Sequence, residues 1–177
     1  MPVIELSNVI ENAVGGSAYA TAGAPTAGTT EVQTLTIGGT PTSGTFTITF
    51  NGYTTTAITW TATDATLVAA IDAALEALTS IGTGNVTTAA GTLSSGIGTV
   101  TLTFAGTLAK KALPLAVANS SLVGTLPTAV ITETTPGVDA SYRTATKGAL
   151  LSDVTNGKLY IATATNPAVW TVVGSQS

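Results

Sequence analysis

The stretch Thr45-Phe46-Thr47-Ile48-Thr49-Phe50-Asn51-Gly52 decides the fold. Polar and apolar residues alternate over its first six positions, the two-residue period of a strand with one buried face. Asn51-Gly52 follows at once. This pair is the strongest short hairpin signal, because both central turn residues need positive φ, which Asn and Gly tolerate. The return strand spans residues 53–60, with Ile58 and Trp60 on its apolar face. An earlier strand over residues 31–37 turns Leu35 and Ile37 inward.

Beyond the hairpin the period changes. Leu67, Val68, Ile71, Leu75 and Leu78 recur at helical spacing and predict one amphipathic helix over residues 64–79. Asp64 stands at its start as a cap or first-turn acid, and Gly82 lies just past its end, where the left-handed region is favoured. Asp72 and Glu76, four apart, fall on the opposite face and are expected to be exposed. Three strands should follow. Residues 85–89 make a short one. Residues 98–104 set Val100, Leu102 and Phe104 against Thr99, Thr101 and Thr103. Leu113, Leu115 and Val117 alternate around Pro114, which marks an edge strand. Residues 129–134 close the unit before the turn at Pro136-Gly137.

The flanks differ in character. Residues 1–30 begin with Val3, Ile4, Leu6, Val9 and Ile10, then become small and rich in Gly, Ala and Thr. They read as an extended arm or linker, which fully stretched reaches on the order of 100 Å with its apolar residues available for docking; a floppy tail is the other reading. Residues 138–177 hold three short strands, near 149–151, 158–162 and 169–173, with a turn at Asp153-Val154-Thr155-Asn156-Gly157. About forty residues are near the lower limit for independent folding. The expected fold is therefore mostly β (α+β). An antiparallel sheet or sandwich over 31–137 carries one packed amphipathic helix, between the N-terminal arm (1–30) and a small C-terminal β unit (138–177).

Composition narrows the function. The chain has 177 residues, five Lys or Arg, nine Asp or Glu, a net charge of −4, and neither Cys nor His. This excludes disulfides, thiolate nucleophiles, Ser-His-Asp triads and the common zinc motifs. So few basic residues give no footprint for nucleic acid. Only 8% of residues are charged, against about 25% in typical soluble domains. Thr (38 residues) and Ala (28) replace them. Hydroxyls must wet part of such a surface, and partner subunits must cover part of it. The longest apolar run, residues 112–118, is far shorter than the roughly 20 residues of a membrane span. Glu5 and Glu11 stand where a secretory leader would be basic, so synthesis in a cytoplasm is expected. The Gly-rich turns Gly82-Thr83-Gly84 and Gly96-Ile97-Gly98 complete no phosphate-binding fingerprint, and no cofactor is expected.

Specific strings carry a resemblance. Glu31-Val32-Gln33-Thr34-Leu35-Thr36, Gly44-Thr45-Phe46-Thr47, Phe50-Asn51-Gly52, Ser80-Ile81-Gly82-Thr83-Gly84-Asn85-Val86, Leu102-Thr103-Phe104-Ala105-Gly106 and Thr134-Thr135-Pro136-Gly137 follow one another across residues 31–137. This region resembles a β-rich module of tailed-phage structural proteins that is repeated in some large bacterial surface proteins. Ala149-Leu150-Leu151-Ser152-Asp153, Thr155-Asn156-Gly157-Lys158-Leu159-Tyr160-Ile161 and Trp170-Thr171-Val172-Val173-Gly174 are similar to a small β unit of phage head-fibre, tail-fibre and decoration proteins. Together they resemble a capsid decoration or head-fibre protein. The resemblance implies a non-enzymatic virion protein on the capsid exterior, with the major capsid protein as partner and a homotrimer as the favoured assembly.

The residues expected to matter follow from these readings. Val3, Ile4, Leu6, Val9 and Ile10 are the expected capsid-docking residues of the arm. Tyr160 and Trp170, the large anchors of a unit with little core, are the expected oligomer contacts. Asp72 and Glu76 share a helical face but flank no cleft, so they are expected to be ordinary solvated acids. The adjacent pair Lys110 and Lys111 either guards an edge strand or meets an acidic patch on a shell protein. A second reading, from another class, is a carbohydrate-binding or adhesive module that stacks host-surface glycans on exposed aromatics.

Overall fold

The structure, a computed structural model, describes residues 18–21, 23–142, 145–165 and 167–174. It is mostly β. In chain order the elements are β1 (Ala18–Thr21), β2 (Val32–Phe50), β3 (Tyr53–Thr54), β4 (Ile58–Thr59), α1 (Asp64–Glu76), β5 (Val86–Ala90), β6 (Gly98–Phe104), β7 (Val117–Thr135), β8 (Leu150–Asp153), β9 (Lys158–Ala164) and β10 (Val169–Val172). Thr29–Val138 forms one unit, and the segments flanking it form another. Thr29 and Val138 close the first unit by exchanging two backbone hydrogen bonds of 2.9 Å.

β2 and β7, 19 residues each, pair antiparallel from Val32↔Thr135 to Thr49↔Val117. A straight strand of that length would hold its ends roughly 60 Å apart. Here the two ends of β2 come together. Phe50 at one end stacks on Phe104, ring centroids 5.1 Å apart, and the Phe104 N–H donates to the Glu31 carbonyl beside the other end, at 3.2 Å. The β2–β7 ribbon therefore doubles back on itself. It does so over residues 38–44, where register shifts interrupt the ladder between Gly38 and Thr40 and between Pro41 and Ser43. Gly44 sits there at φ 100°, and a Cβ on it would lie 2.5 Å from the Ser121 carbonyl oxygen and 2.8 Å from the Leu122 Cα.

Folding the ribbon makes two layers. The first half of β2 pairs with β6, and β6 pairs with β5; the second half of β2 pairs with β3 and β4. The alternation in the sequence then fills the space between. Leu35, Ile37, Val100, Leu102 and Phe104 face Phe46, Ile48, Phe50 and Ile58 in one cluster, which Leu67, Ile71 and Leu75 of α1 join. Burying each large side chain is worth about 1.5–3 kcal/mol.

Three local readings are revised. The helix ends at Glu76, short of residue 79, and Leu78 and Ile81 stay buried in the turns beyond it. The Gly82 N–H still caps that turn on the Leu78 carbonyl at 2.8 Å, with φ 78°. The return strand splits into β3 and β4 because Thr55 turns inward: its Oγ1 accepts the Ile48 N–H at 3.0 Å. Leu113 and Leu115 form no strand, and Leu115 is 48% exposed. Side chains hold this backbone in place of a ladder. The Leu113 N–H donates to Glu31 Oε2 at 2.8 Å, Gln33 Nε2 donates to the Pro114 carbonyl at 3.0 Å, and the Ala116 N–H donates to Gln33 Oε1 at 2.9 Å.

The other unit is a four-stranded sheet in the order β1-β8-β9-β10. β1 falls in the segment read from sequence as an arm, yet it pairs with β8 in parallel, Ala18↔Leu150 to Thr21↔Asp153. Asp153 is fully buried and organises the β8–β9 turn. Its Oδ1 accepts the Thr155 and Asn156 N–H groups, each at 3.1 Å, and its Oδ2 accepts Asn156 Nδ2 at 2.7 Å. The Asn156 side-chain amide, aided by these N–H groups and the Lys158 charge and opposed by burial, holds the carboxyl below its usual value of 3.8. A lowered folded pKa means stabilisation that is complete above the usual value and lost as pH falls through the lowered one. Asn156→Ala should move the Asp153 titration up toward 3.8, measured by NMR across an acid series.

Candidate functional site: an uncharged threonine face

The same alternation that buries Val100 and Leu102 turns a second set of residues outward. The first layer is built from β5, β6, the first half of β2 and the last third of β7. Its outer positions are Thr87 and Ala89, then Thr99, Thr101 and Thr103, then Val32, Thr34 and Thr36, and finally Val130, Thr132 and Thr134. No charged residue is among them. The register aligns them in rows: Thr132, Thr34, Thr101 and Ala89 run across four adjacent strands. Neighbouring strands lie about 4.8 Å apart, so hydroxyls and methyls repeat at that interval. Thr34 and Thr134 hydroxyls meet at 2.5 Å. Such a face offers donors, acceptors and apolar surface together. It suits a broad, flat partner and presents no group poised for proton transfer or nucleophilic attack.

The acids sit elsewhere. Asp72 and Glu76 are half-buried, contrary to the expected exposure. Asp72 Oδ1 accepts the Thr88 N–H and hydroxyl, each at 3.0 Å, fixing β5 to α1. Glu76 Oε1 accepts the Gly84 N–H at 2.6 Å. Asp64 Oδ1 accepts the Gly96 N–H at 2.7 Å, and Trp60 Nε1 donates to the Gly96 carbonyl at 2.9 Å. Asp64 and Glu76 brace loops and Asp72 braces β5; Asp64 and Asp72 line one groove beside α1 but share no hydrogen-bond partner. Shallow grooves of about 500 Å³ and 490 Å³ flank α1, lined largely by Ala and Thr. Among the described residues no cluster of His, Cys, Asp or Glu could hold a metal ion.

The residues singled out from sequence fare differently. Val3, Ile4, Leu6, Val9 and Ile10 lie outside the described residues. Tyr160 is buried within its own chain, at 8% exposure, which leaves it little surface for a neighbour. Trp170 is half-buried against Ala145, Ala149, Ala162 and Ala168, and meets Tyr142 edge-on with ring centroids 6.3 Å apart. Both aromatics serve the unit's own core. Lys110 and Lys111 lie in the loop before β7, not on an edge strand.

Glu31 and Gln33, which carry no site expectation from sequence, are buried at 1% and 0% exposure and hydrogen-bond each other. The signal was present: Glu31 and Gln33 are in phase with Leu35 and Ile37 on the inward face.

No protein family's profile matches the chain, and no curated protein matches it. A solved chain from Mycobacterium phage Patience is similar over 89% of this chain and 60% of its own length, with a TM-score of 0.38 and 12% identity. This chain thus spans less than two thirds of that one, and a likeness so loose decides neither fold nor role.

Proposed function

We propose that this chain is a structural virion protein that decorates the outside of a phage capsid, binds the major capsid protein by surface burial, and stabilises the shell. The observation that carries the reading is the charge-free threonine face, in a chain with 8% charged residues. A surface of this kind is adapted to being covered. The resemblance of residues 31–137 and of the C-terminal unit to phage structural modules supports the same role. Residues 3–10 would add an apolar anchor. The carbohydrate reading draws less support, because stacking needs exposed aromatics. Trp60 and Trp170 are half-buried, and Tyr53, 50% exposed, is the aromatic that stands out among the described side chains.

The test compares particles made with and without the gene. Mass spectrometry of purified particles should find the protein in fixed ratio to the capsid protein, and imaging should show added density outside the shell. Stripped particles should rebind it, and an uncharged face predicts binding that survives salt up to about 1 M, where screening acts within roughly 3 Å. Steep loss with salt would move the contact to Lys110 and Lys111. Absence from purified particles would overturn the reading.

A further inference from the structure

We infer that residues 117–123, on the open edge of β7, pair antiparallel with the same residues of a second copy of this chain. The inference rests on strand geometry and does not depend on the capsid reading. Among the described residues, β2 is the sole strand partner of β7. Residues 117–123 run in unbroken register with Thr49 through Ser43, so this edge is regular. Its outward groups are identifiable. The Gly44 carbonyl accepts from Trp60 at 3.0 Å and the Ile48 carbonyl from Thr55 at 2.9 Å, both on the side of β2 away from β7. Gly44 and Ile48 are therefore non-hydrogen-bonded partners of Leu122 and Ala118. By alternation, Ala118, Ser120 and Leu122 aim their N–H and C=O groups away from β2. The Leu122 N–H meets its own Ser120 Oγ at 3.4 Å, a long contact.

The usual protections of an edge are missing from this segment. Natural edges carry Lys, Pro, inward charges or bulges. Val117-Ala118-Asn119-Ser120-Ser121-Leu122-Val123 holds none of these, and Val117 and Val123 are 55% and 57% exposed. The remainder of β7 is guarded by Pro127, Glu133 and the register shifts.

The segment is also complementary to itself, as a two-fold interface requires. Pairing about Ser120 sets Val117 opposite Val123, Ala118 opposite Leu122, and Asn119 opposite Ser121. Apolar residues meet apolar ones, and polar ones meet polar. Every outward N–H and C=O finds a partner, and no charge opposes a like charge, since Glu133 falls beyond the paired stretch. This symmetry favours a two-fold pair over the trimer implied by the resemblance.

The chain has no native Cys, so single cysteines report the register. Two Ser120 Cα atoms in a hydrogen-bonded pair would lie about 5.5 Å apart, within disulfide reach. Val123 and its copy would be about 20 Å apart. In the full chain, Ser120→Cys should form a disulfide-linked dimer on mild oxidation and Val123→Cys should not. Light scattering should give a dimer for the unmodified chain and a monomer for Ser120→Pro, whose circular dichroism stays unchanged because that N–H makes no bond to β2. A monomer for the unmodified chain, equal cross-linking of both cysteines, or a trimer untouched by Ser120→Pro would each overturn the inference. So would a monomer that loses particle binding with Ser120→Pro, which would assign the edge to a strand of another protein.

Discussion

Gly44→Ala is expected to destabilise Thr29–Val138 by about 3 kcal/mol. Two costs combine. An L-residue at φ 100° is strained, and the new Cβ would press on the Ser121 carbonyl, the Leu122 Cα and the Val123 N at 2.5–2.9 Å. All three are backbone atoms of the paired strand, so none can swing aside. Gly52→Ala is the control. Its φ of 83° is also positive, but nothing lies within 4 Å of its Cβ position. It should cost only the conformational strain, about 1–2 kcal/mol. Denaturant unfolding of the two variants separates the terms. Equal losses would mean that the ribbon does not double back at Gly44.

Gln33→Leu should cost about 3–5 kcal/mol. Leu is close to Gln in volume but makes no hydrogen bond. The substitution would strand the Ala116 N–H and one oxygen of Glu31 in a buried site, where each unpaired group costs about 1–3 kcal/mol, and would release the part-buried Pro114 carbonyl. The loop over residues 112–116 would lose its hold on β2, and the Leu113 and Ala116 amides should lose protection from hydrogen exchange. A loss under about 1 kcal/mol would mean water replaces the missing partners.

The local elements were legible because their causes are local. The Thr-Phe-Thr-Ile-Thr-Phe alternation, the Asn51-Gly52 turn, the helical stripe from Leu67 to Leu75 and the Gly98–Phe104 strand each follow from a few neighbouring residues. What the sequence hid is long-range. Residues 38–44 lack alternation and fall between the strands expected at 31–37 and 45–50, yet they continue β2 because residues 122–128 pair with them at a distance. Leu113 and Leu115 alternate but form no strand, since Glu31 and Gln33 hold that backbone. The parallel pairing of β1 with β8 joins segments more than a hundred residues apart, and nothing near Ala18 announces it. The threonine face was half visible. Thr99, Thr101 and Thr103 share one side of a strand by alternation alone, but the rows that join Thr101 to Thr34 and Thr132, and Thr99 to Thr36 and Val130, emerge only from the register.

Thr101 stands inside that face, beside Thr34 and Ala89. A surface substitution there should change stability by no more than about 0.5 kcal/mol. Rebinding of Thr101→Lys to stripped particles is the most direct measurement. The account predicts that the folded variant fails to rebind, because its ammonium would be desolvated against an uncharged contact. Rebinding at the unmodified level would contradict a role for the threonine face in meeting the shell.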